Sequence, residues 1–244
     1  MHISLTQVSK RFGTHAALDE VSAAIPAGSI VAVLGANGAG KSTLLRLLAT
    51  VQVPTSGEIA IDGELLARER VDLRRRLLYL PEPPPLTLSD TPLRYMASML
   101  ALYEVKPRAV GERVTAIYDE LDLLPLAETE VATLSRGQTY KSALAALLAV
   151  DPELWLLDEP FAAGMDPQGA AVLKRHAHKA AAQGKTIIYT TQMIEVAEQF
   201  ADLLLILDHG RLHALTGVKE LRAIAPGDHV LERLFANLHA AERA

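Results

Sequence analysis

The sequence predicts an α/β fold with a mainly parallel sheet and helices on both of its faces. Residues 35–43 are rich in glycine and lie between a stretch typical of a buried strand and a stretch typical of a helix. Leu154–Leu157 is a second apolar stretch, and two carboxylates follow it directly. From there to residue 208, strand-like and helix-like segments alternate, as they do in parallel sheets.

The N-terminal part of the chain predicts short strands. Within residues 1–30 we expect two or three of them. Residues 2–8 alternate apolar and polar side chains, which predicts a strand, residues 10–13 predict a turn, and residues 17–25 predict a second strand that runs back along the first. The elements expected next are a strand at 29–34, a helix at 44–49, a turn, strand and turn at 54–63, a solvated basic stretch at 68–76 and a strand at 77–80.

The middle of the chain predicts helices without strands. Prolines are dense at residues 81–85, which stops regular structure. Residues 89–128 carry no strand pattern, so we expect a helical insertion there. The elements expected from this block onward are helices at 93–103, 110–121, 139–150, 167–183, 193–200 and 229–243, and strands at 154–157, 186–190 and 203–208.

The glycine-rich segment fits the pattern G-x-x-x-x-G-K-[ST] of a phosphate-binding P-loop. Because glycine has no Cβ, the backbone can close around an anion and point its N–H groups at phosphate oxygens. Lys41 is predicted to reach the β- and γ-phosphates, and the Ser42 hydroxyl to ligate Mg²⁺. A chance glycine-rich turn is the alternative, but the strand-to-helix context favours the phosphate site. The predicted binding residues are Gly35, Asn37, Gly38, Ala39, Gly40, Lys41, Ser42 and Thr43.

Two more candidate residues follow from their positions in the chain. Asp158 comes directly after the strand Leu154–Leu157, where P-loop proteins place a Mg²⁺-binding carboxylate, and helix capping is the alternative. Phe12 lies upstream of the phosphate site and could stack on an adenine ring. The alternative is a structural role, as an aromatic side chain in the core or at the edge of a sheet.

Composition narrows the possible partners. Half of the 244 residues are hydrophobic, and the net charge of -5 offers no basic surface to nucleic acid. The chain has no cysteine, and its eight histidines do not have metal-ligand spacing. No apolar stretch approaches the ~18 residues of a membrane span, and the N-terminus lacks a signal-peptide core. We therefore expect a soluble protein of a reducing compartment.

Three segments in this order carry a resemblance to a known family. They are the P-loop, the sequence LSRGQ at residues 134–138, and the strand that ends in Asp158 and Glu159. Together they resemble the nucleotide-binding subunit of ATP-binding cassette (ABC) transporters over nearly the whole chain. The resemblance implies one domain over residues 1–244, built on a P-loop NTPase core with a small N-terminal antiparallel β subdomain and an inserted helical subdomain at 85–148.

The resemblance also implies partners and roles. Two such subunits would sandwich two ATP molecules, and Ser135, Gly137 and Gln138 of one subunit would face the nucleotide of the other. Phe12 would stack on adenine, and Glu159 would act as the general base. A separate transmembrane subunit would hold the chain at the cytoplasmic face of the membrane.

The chain departs from the family pattern at several positions. Glu82 stands where glutamine is usual, Gln192 where a histidine is usual, and Arg136 where the signature has glycine; residues 161–166 are one residue longer than the usual D-loop. Glu82 is expected to ligate Mg²⁺ or the attacking water, and Gln192 to contact the γ-phosphate. The segment that contains Glu82 and its neighbouring prolines resembles the corresponding segment of cassettes that serve exporters. We expect a slow ATPase that powers an exporter; the alternatives are a degenerate regulatory cassette and a soluble ABC ATPase that acts on ribosomes or DNA.

Overall fold

The computed structural model, which describes residues 1–162 and 164–224 apart from the side chains of 107–109 and 222–224, has two sheets with helices around them. Its strands are β1 (Ile3–Phe12), β2 (His15–Ile25), β3 (Ile30–Leu34), β4 (Ser56–Ile61), β5 (Glu64–Leu65), β6 (Leu77–Leu80), β7 (Leu154–Leu157), β8 (Thr186–Thr191), β9 (Leu203–Asp208) and β10 (Arg211–Gly217). Its α-helices are α1 (Lys41–Leu48), α2 (Val71–Arg74), α3 (Pro92–Leu102), α4 (Pro107–Glu120), α5 (Arg136–Val150), α6 (Pro167–Ala182), α7 (Ile194–Phe200) and α8 (Val218–Ile224).

The larger sheet has six strands in the order β10-β9-β3-β8-β7-β6. The strands from β9 to β6 in this order pair in parallel, and β10 closes one edge as an antiparallel partner of β9. This confirms the predicted α/β class. Because the carboxyl ends of parallel strands meet at one edge, the residues that follow β3, β6, β7 and β8 are brought together there.

Helices and the smaller sheet bury the larger sheet on both faces. Along β3 every residue is buried. Ile30, Ala32 and Leu34 belong to the core on the side of the long helices, whereas Val31 and Val33 belong to the core shared with the smaller sheet. Burial on both faces explains why β3 is a continuous apolar run in the sequence and does not alternate.

The smaller sheet has the order β2-β1-β4-β5 and is antiparallel. The prediction of a turn at residues 10–13 is wrong, because β1 extends through Phe12, which pairs with His15 of β2. Gly13 makes the turn with φ of 59°. Register shifts follow Val8, so the period-two pattern that marks a strand is interrupted before the strand ends.

Helices fill most of the chain between β6 and β7. α3 and α4 pack against α5, which is buried along almost its whole length. The predicted helices at 93–103, 110–121 and 139–150 coincide with these three within a few residues. The division of the chain into a single domain with a helical subdomain at 85–148 stays a prediction.

Four elements were missed by the sequence reasoning, and the first of them is the two-residue strand β5. α2 interrupts the basic stretch at 68–76, in which Arg68, Arg74 and Arg75 are exposed as expected and Arg70 and Arg76 are half-buried. β10 and α8 follow the turn after β9. β10 is a half-exposed edge strand in which the alternation of polar and apolar residues breaks at Ala214 and Leu215, so its strand pattern is weak. The predicted helix at 229–243 lies outside the described residues.

Candidate nucleotide-binding site

The glycine-rich loop joins β3 to α1 and depends on two glycines for its path. Gly40 precedes α1 with φ of 101°, and a Cβ there would lie 2.4 Å from the carbonyl oxygen of Ala17. A Cβ on Gly35 would lie 2.3 Å from the carbonyl oxygen of Leu207. Only glycine fits at both positions, so the loop is pressed against β2 and β9 and its N–H groups are presented at the start of α1.

Lys41 is the first residue of α1, and its side chain is only 6% exposed. Its Nζ donates hydrogen bonds to the carbonyl oxygens of Gly35 at 2.8 Å and Ala36 at 3.2 Å. It also lies 3.3 Å from Oε1 of Glu159. The ammonium group is therefore held over the loop, where it can meet the charge of a bound phosphate.

Asp158, at the end of β7, accepts hydrogen bonds from three hydroxyl groups. Ser42 Oγ and Thr190 Oγ1 donate to its Oδ1 at 2.8 and 2.7 Å, and the Tyr79 hydroxyl donates to its Oδ2 at 3.1 Å. The carboxylate is buried, with 3% of the residue exposed. These donors come from α1, β8 and β6, which shows that the strand order assembles the cluster.

Glu159 follows Asp158 in the left-handed region, with φ of 46°. Its N–H donates to Thr190 Oγ1 at 2.8 Å, so one threonine hydroxyl bridges the two acidic residues. The Glu159 side chain is 20% exposed and contacts Lys41. A partly exposed carboxylate beside the loop can accept a proton from, or orient, a water molecule at a bound phosphate.

These side chains fit a magnesium ion. Mg²⁺ prefers oxygen ligands and takes many of them from phosphate and water, and here a hydroxyl and a carboxylate already touch at Ser42 and Asp158. Oε2 of Glu82 is buried and has no hydrogen-bond partner among the described residues. Among the residues that the structure describes, no group of three or more His, Cys, Asp or Glu could hold a metal alone. The donors therefore suit a metal that arrives with a nucleotide.

Glu82, two residues beyond β6, forms an ion pair with Arg136 of the LSRGQ segment at residues 134–138, called the signature segment below. Its Oε1 accepts a hydrogen bond from Nη2 of Arg136 at 2.6 Å. Glu82 is 18% exposed and Arg136 is 79% exposed. Glu82 and Arg136, two of the positions at which the chain departs from the family pattern, thus contact each other within one chain.

The signature residues begin helix α5. Ser135 is the N-cap: its Oγ accepts from the Gln138 N–H, and its own N–H donates to Oε1 of Gln138. A Cβ on Gly137 would lie 2.3 Å from the carbonyl oxygen of Gly164, so the D-loop backbone passes directly over this position. Ser135 is exposed, and its own subunit uses it only to cap a helix.

Lys141 fixes the end of the D-loop. Its Nζ donates to Oδ2 of Asp166 at 2.8 Å, and Oδ1 of Asp166 caps α6 by accepting from the Gly169 N–H. The Lys141 ammonium holds the pKa of Asp166 below its usual range. The predicted extra residue of the loop cannot be placed, since Ala163 lies outside the described residues.

Phe12 and Gln192 are both exposed. The Phe12 ring is 47% exposed and has the Lys10 ammonium 5.1 Å from its centroid. It pairs with His15, two residues before Ala17, and the carbonyl oxygen of Ala17 lies against Gly40, so this hairpin runs beside the P-loop. Gln192 directly follows β8, and the hydrogen bonds to Asp158 in the described part of the chain come from other residues.

The fold and this cluster define a P-loop nucleotide-binding protein. The chain belongs to the ABC transporter family, whose model matches residues 18–162. A daunorubicin resistance ATP-binding protein of Streptomyces coeruleorubidus is 32% identical over 93% of this chain and 72% of its own length. A Nod factor export ATP-binding protein of Sinorhizobium fredii is 34% identical over 86% of this chain and 61% of its own length. A methionine import ATP-binding protein of Haemophilus influenzae is 36% identical over 91% of this chain and 66% of its own length.

Solved structures agree with this family. An ATP-binding subunit of an ABC transporter has a TM-score of 0.89 and 26% identity, with 98% of this chain and all of that chain covered. A dimeric ATP-binding cassette in a post-hydrolysis state, bound to ADP and Pi, has a TM-score of 0.79 and 25% identity over 88% of this chain and 98% of that one. This membership makes the chain an ATP-binding, ATP-hydrolysing subunit of a transporter. None of its described helices has both the length and the apolar character needed to cross a membrane.

Sequence reasoning missed Thr190, Tyr79 and Lys141. Thr190 is a buried hydroxyl at the end of an apolar strand, and that polar interruption was a usable signal. Tyr79 gave no such signal, because its contact with Asp158 depends on β6 lying beside β7. Lys141 reads as an ordinary surface lysine, although it is only 6% exposed.

Proposed function

We propose that ATP binds with its phosphates in the glycine-rich loop and is hydrolysed there. The observation that carries this proposal is the convergence of Lys41, Ser42, Asp158 and Glu159 at the carboxyl edge of the parallel sheet. Lys41 would bind the β- and γ-phosphates and Glu159 would orient the attacking water. Phe12 would stack on the adenine ring.

The same proposal assigns Mg²⁺ to Ser42 and Asp158, with Glu82 beside them. A bound Mg²⁺ would neutralise developing phosphate charge. Glu82 keeps an oxygen where glutamine is usual, and its buried Oε2 supports a role toward the metal or its water. Its negative charge also repels a phosphate when metal is missing, so nucleotide binding would depend strongly on Mg²⁺.

The functional unit would be a dimer of cassettes. Ser135, Gly137 and Gln138 start α5, and Ser135 is exposed, so these residues can face a nucleotide held by a second subunit. The dimeric form of the structural relative that holds ADP and Pi supports this arrangement. The second subunit is either a copy of this chain or a related chain.

A separate transmembrane subunit would dock near the proline-rich segment. A cavity of about 670 Å³ opens there between β6 and α3. Val51, Val71 and Leu102 line it and are at least half exposed, and the side chains of Arg74 and Arg75 are at its rim. An exposed apolar surface of this kind favours an amphipathic segment of a partner. Crosslinks from residues 86–103 to a membrane protein would support this, whereas crosslinks to soluble proteins alone would contradict it.

We further propose transport out of the cell and a position at the cytoplasmic face of the membrane. The drug-resistance and Nod factor export proteins among the relatives support this direction. The methionine import protein matches at a similar identity, so identity alone does not set the direction. Glu82 within the proline-rich segment, which resembles the cassettes of exporters, supports export independently of identity.

The test is steady-state phosphate release by the purified chain, alone and with the membrane protein that purifies with it. Glu159→Gln keeps the size of the side chain but removes the carboxylate, so it should lower the rate by at least about a hundredfold and trap an ATP-bound dimer. A parent rate no higher than that of the variant would instead support a regulatory cassette that binds nucleotide without turnover.

A further inference from the structure

Tyr79 links the cavity near the proline-rich segment to the carboxylate of Asp158. Its ring lines the cavity, and its hydroxyl donates to Oδ2 of Asp158 at 3.1 Å. The other carboxylate oxygen, Oδ1, is bound by Ser42 and Thr190. The tyrosine is thus the one side chain described here that touches both the cavity and the acidic cluster.

The phenol is held as a neutral hydrogen-bond donor. An ordinary tyrosine, with a pKa of about 10, keeps its proton at neutral pH. The Tyr79 hydroxyl therefore donates a hydrogen bond to the carboxylate. Arg46 belongs to α1, the helix that begins with Lys41 and Ser42, and it also lines the cavity.

We propose that Tyr79 is a positioning residue that couples occupancy of the cavity to the orientation of the Asp158 carboxylate. This rests on the proposed role of Asp158 toward Mg²⁺. A phenol ring is rigid, so a partner that presses on the face lining the cavity moves the hydroxyl with it. Hydrogen bonds between two oxygen atoms usually measure about 2.5–3.0 Å. The bond from Tyr79 to Oδ2 is already long at 3.1 Å, so a displacement of a few tenths of an ångström is enough to release Oδ2.

The molecule contains a matched control for this hydroxyl. Tyr103 lines the same cavity, but its hydroxyl donates to the carbonyl oxygen of Leu77 at 2.7 Å. Tyr79→Phe and Tyr103→Phe each remove one hydroxyl and keep the ring in the cavity. Only the first change touches the acidic cluster.

The first experiment measures the affinity of each variant for a fluorescent ATP analogue, with and without Mg²⁺. Loss of the Tyr79 hydroxyl removes the donor that positions Oδ2, so Tyr79→Phe should reduce the gain in affinity that Mg²⁺ provides by about twofold to tenfold, the worth of one hydrogen bond. Its affinity without Mg²⁺ should stay unchanged. Tyr103→Phe should change neither value, and thermal melting should show that both variants are folded.

The second experiment fills the cavity directly. The chain has no cysteine, so a single Val51→Cys change places one thiol in the cavity for a bulky maleimide label. Leu65→Cys, on the exposed strand β5, carries the same label away from the cavity. The label at position 51 should alter the Mg²⁺-dependent gain in the parent but not in Tyr79→Phe, and the label at position 65 should alter it in neither.

The outcomes separate this proposal from the one on which it rests. If the parent shows no gain in affinity with Mg²⁺, or if Asp158→Asn retains the whole gain, the proposed metal site is wrong. If the parent shows the gain and Tyr79→Phe behaves like Tyr103→Phe, the metal site stands and the role of Tyr79 is overturned. A label effect that persists in Tyr79→Phe would overturn the coupling through the hydroxyl.

Discussion

The proposed site has a P-loop side, with residues 35–43 and Asp158, and a signature side, with residues 134–138. The two sides differ in how many of their contacts a single chain supplies. On the P-loop side, Lys41 is 6% and Asp158 is 3% exposed. The loop backbone accepts the hydrogen bonds of Lys41, and α1, β6 and β8 supply the donors to Asp158. On the signature side, Ser135 is exposed and Arg136 is 79% exposed. The P-loop side is therefore a hydrogen-bonded cluster that forms within a single chain. On the signature side, Ser135 makes the contacts of a helix cap with Gln138, and its proposed function requires another subunit.

This difference predicts two separable defects. Changes in the buried cluster should weaken nucleotide binding by a single chain, because the charges that meet the phosphates are removed or misplaced. Changes on the exposed side should leave that binding intact and impair the association of two chains. A variant that produced the opposite defect would contradict the comparison.

The largest effect is expected from Lys41→Ala. The change removes the ammonium group that would bind two phosphates, and each charge-assisted hydrogen bond is worth roughly 1.5–3 kcal/mol. MgATP affinity should therefore fall by about a hundredfold or more, as measured by titration with a fluorescent analogue. Lys185→Ala is the control, since this lysine is also partly buried and ion-paired but contacts Asp151. Equal affinity in parent and Lys41→Ala would show that the loop does not hold the phosphates.

Ser135→Arg is expected to act on dimer formation alone. The arginine would occupy the surface that meets the second nucleotide, so ATP-driven dimerisation of a Glu159→Gln background should weaken by about tenfold or more. Affinity of the monomer for MgATP should stay within about twofold of the parent. Sedimentation and nucleotide titration measure the two quantities.

Two controls isolate the surface from the cap in this prediction. Losing the N-cap costs about 0.5–2 kcal/mol of stability, so Ser135→Asp, which keeps the cap but adds a charge that repels phosphate, should impair dimerisation as well. Thr115→Arg places the same side chain on exposed α4 and should have no effect. Weak monomer binding with normal dimerisation would reverse the assignment of the two sides.

The two sides also differ in how well the sequence predicts them. The P-loop is local in sequence, since its glycines, Lys41 and Ser42 all lie within residues 35–42 and form one motif. Asp158 is predictable because it ends a buried strand. By contrast, Glu82 and Arg136 are 54 residues apart and meet only through the tertiary fold.

Contacts between distant segments set this limit on prediction. The Glu82 ion pair requires the end of β6 to lie near the start of α5, and no periodicity in either segment indicates that. The same holds for Tyr79 and Asp158, which are joined because β6 pairs with β7. Sequence patterns predicted the type of most elements, whereas the order of strands in the sheet decided which side chains share the site.

The smallest effect is expected from Gln192→His, at an exposed position where the two sides would meet. Glutamine offers an N–H donor to the γ-phosphate but no positive charge. A protonated histidine would add a charge-assisted hydrogen bond, and the low end of its worth corresponds to a rise in phosphate release of about tenfold. An unperturbed histidine has a pKa of about 6.5, so its charged fraction grows as pH falls. The ratio of variant to parent rate should therefore increase from pH 7.5 to pH 6, a range in which an ordinary glutamate with a pKa of about 4.3 stays ionised.

Gln192→Asn, which shortens the side chain without adding charge, should not raise the rate at any pH. A ratio of one throughout this range would show that position 192 does not reach the γ-phosphate in the hydrolysing state.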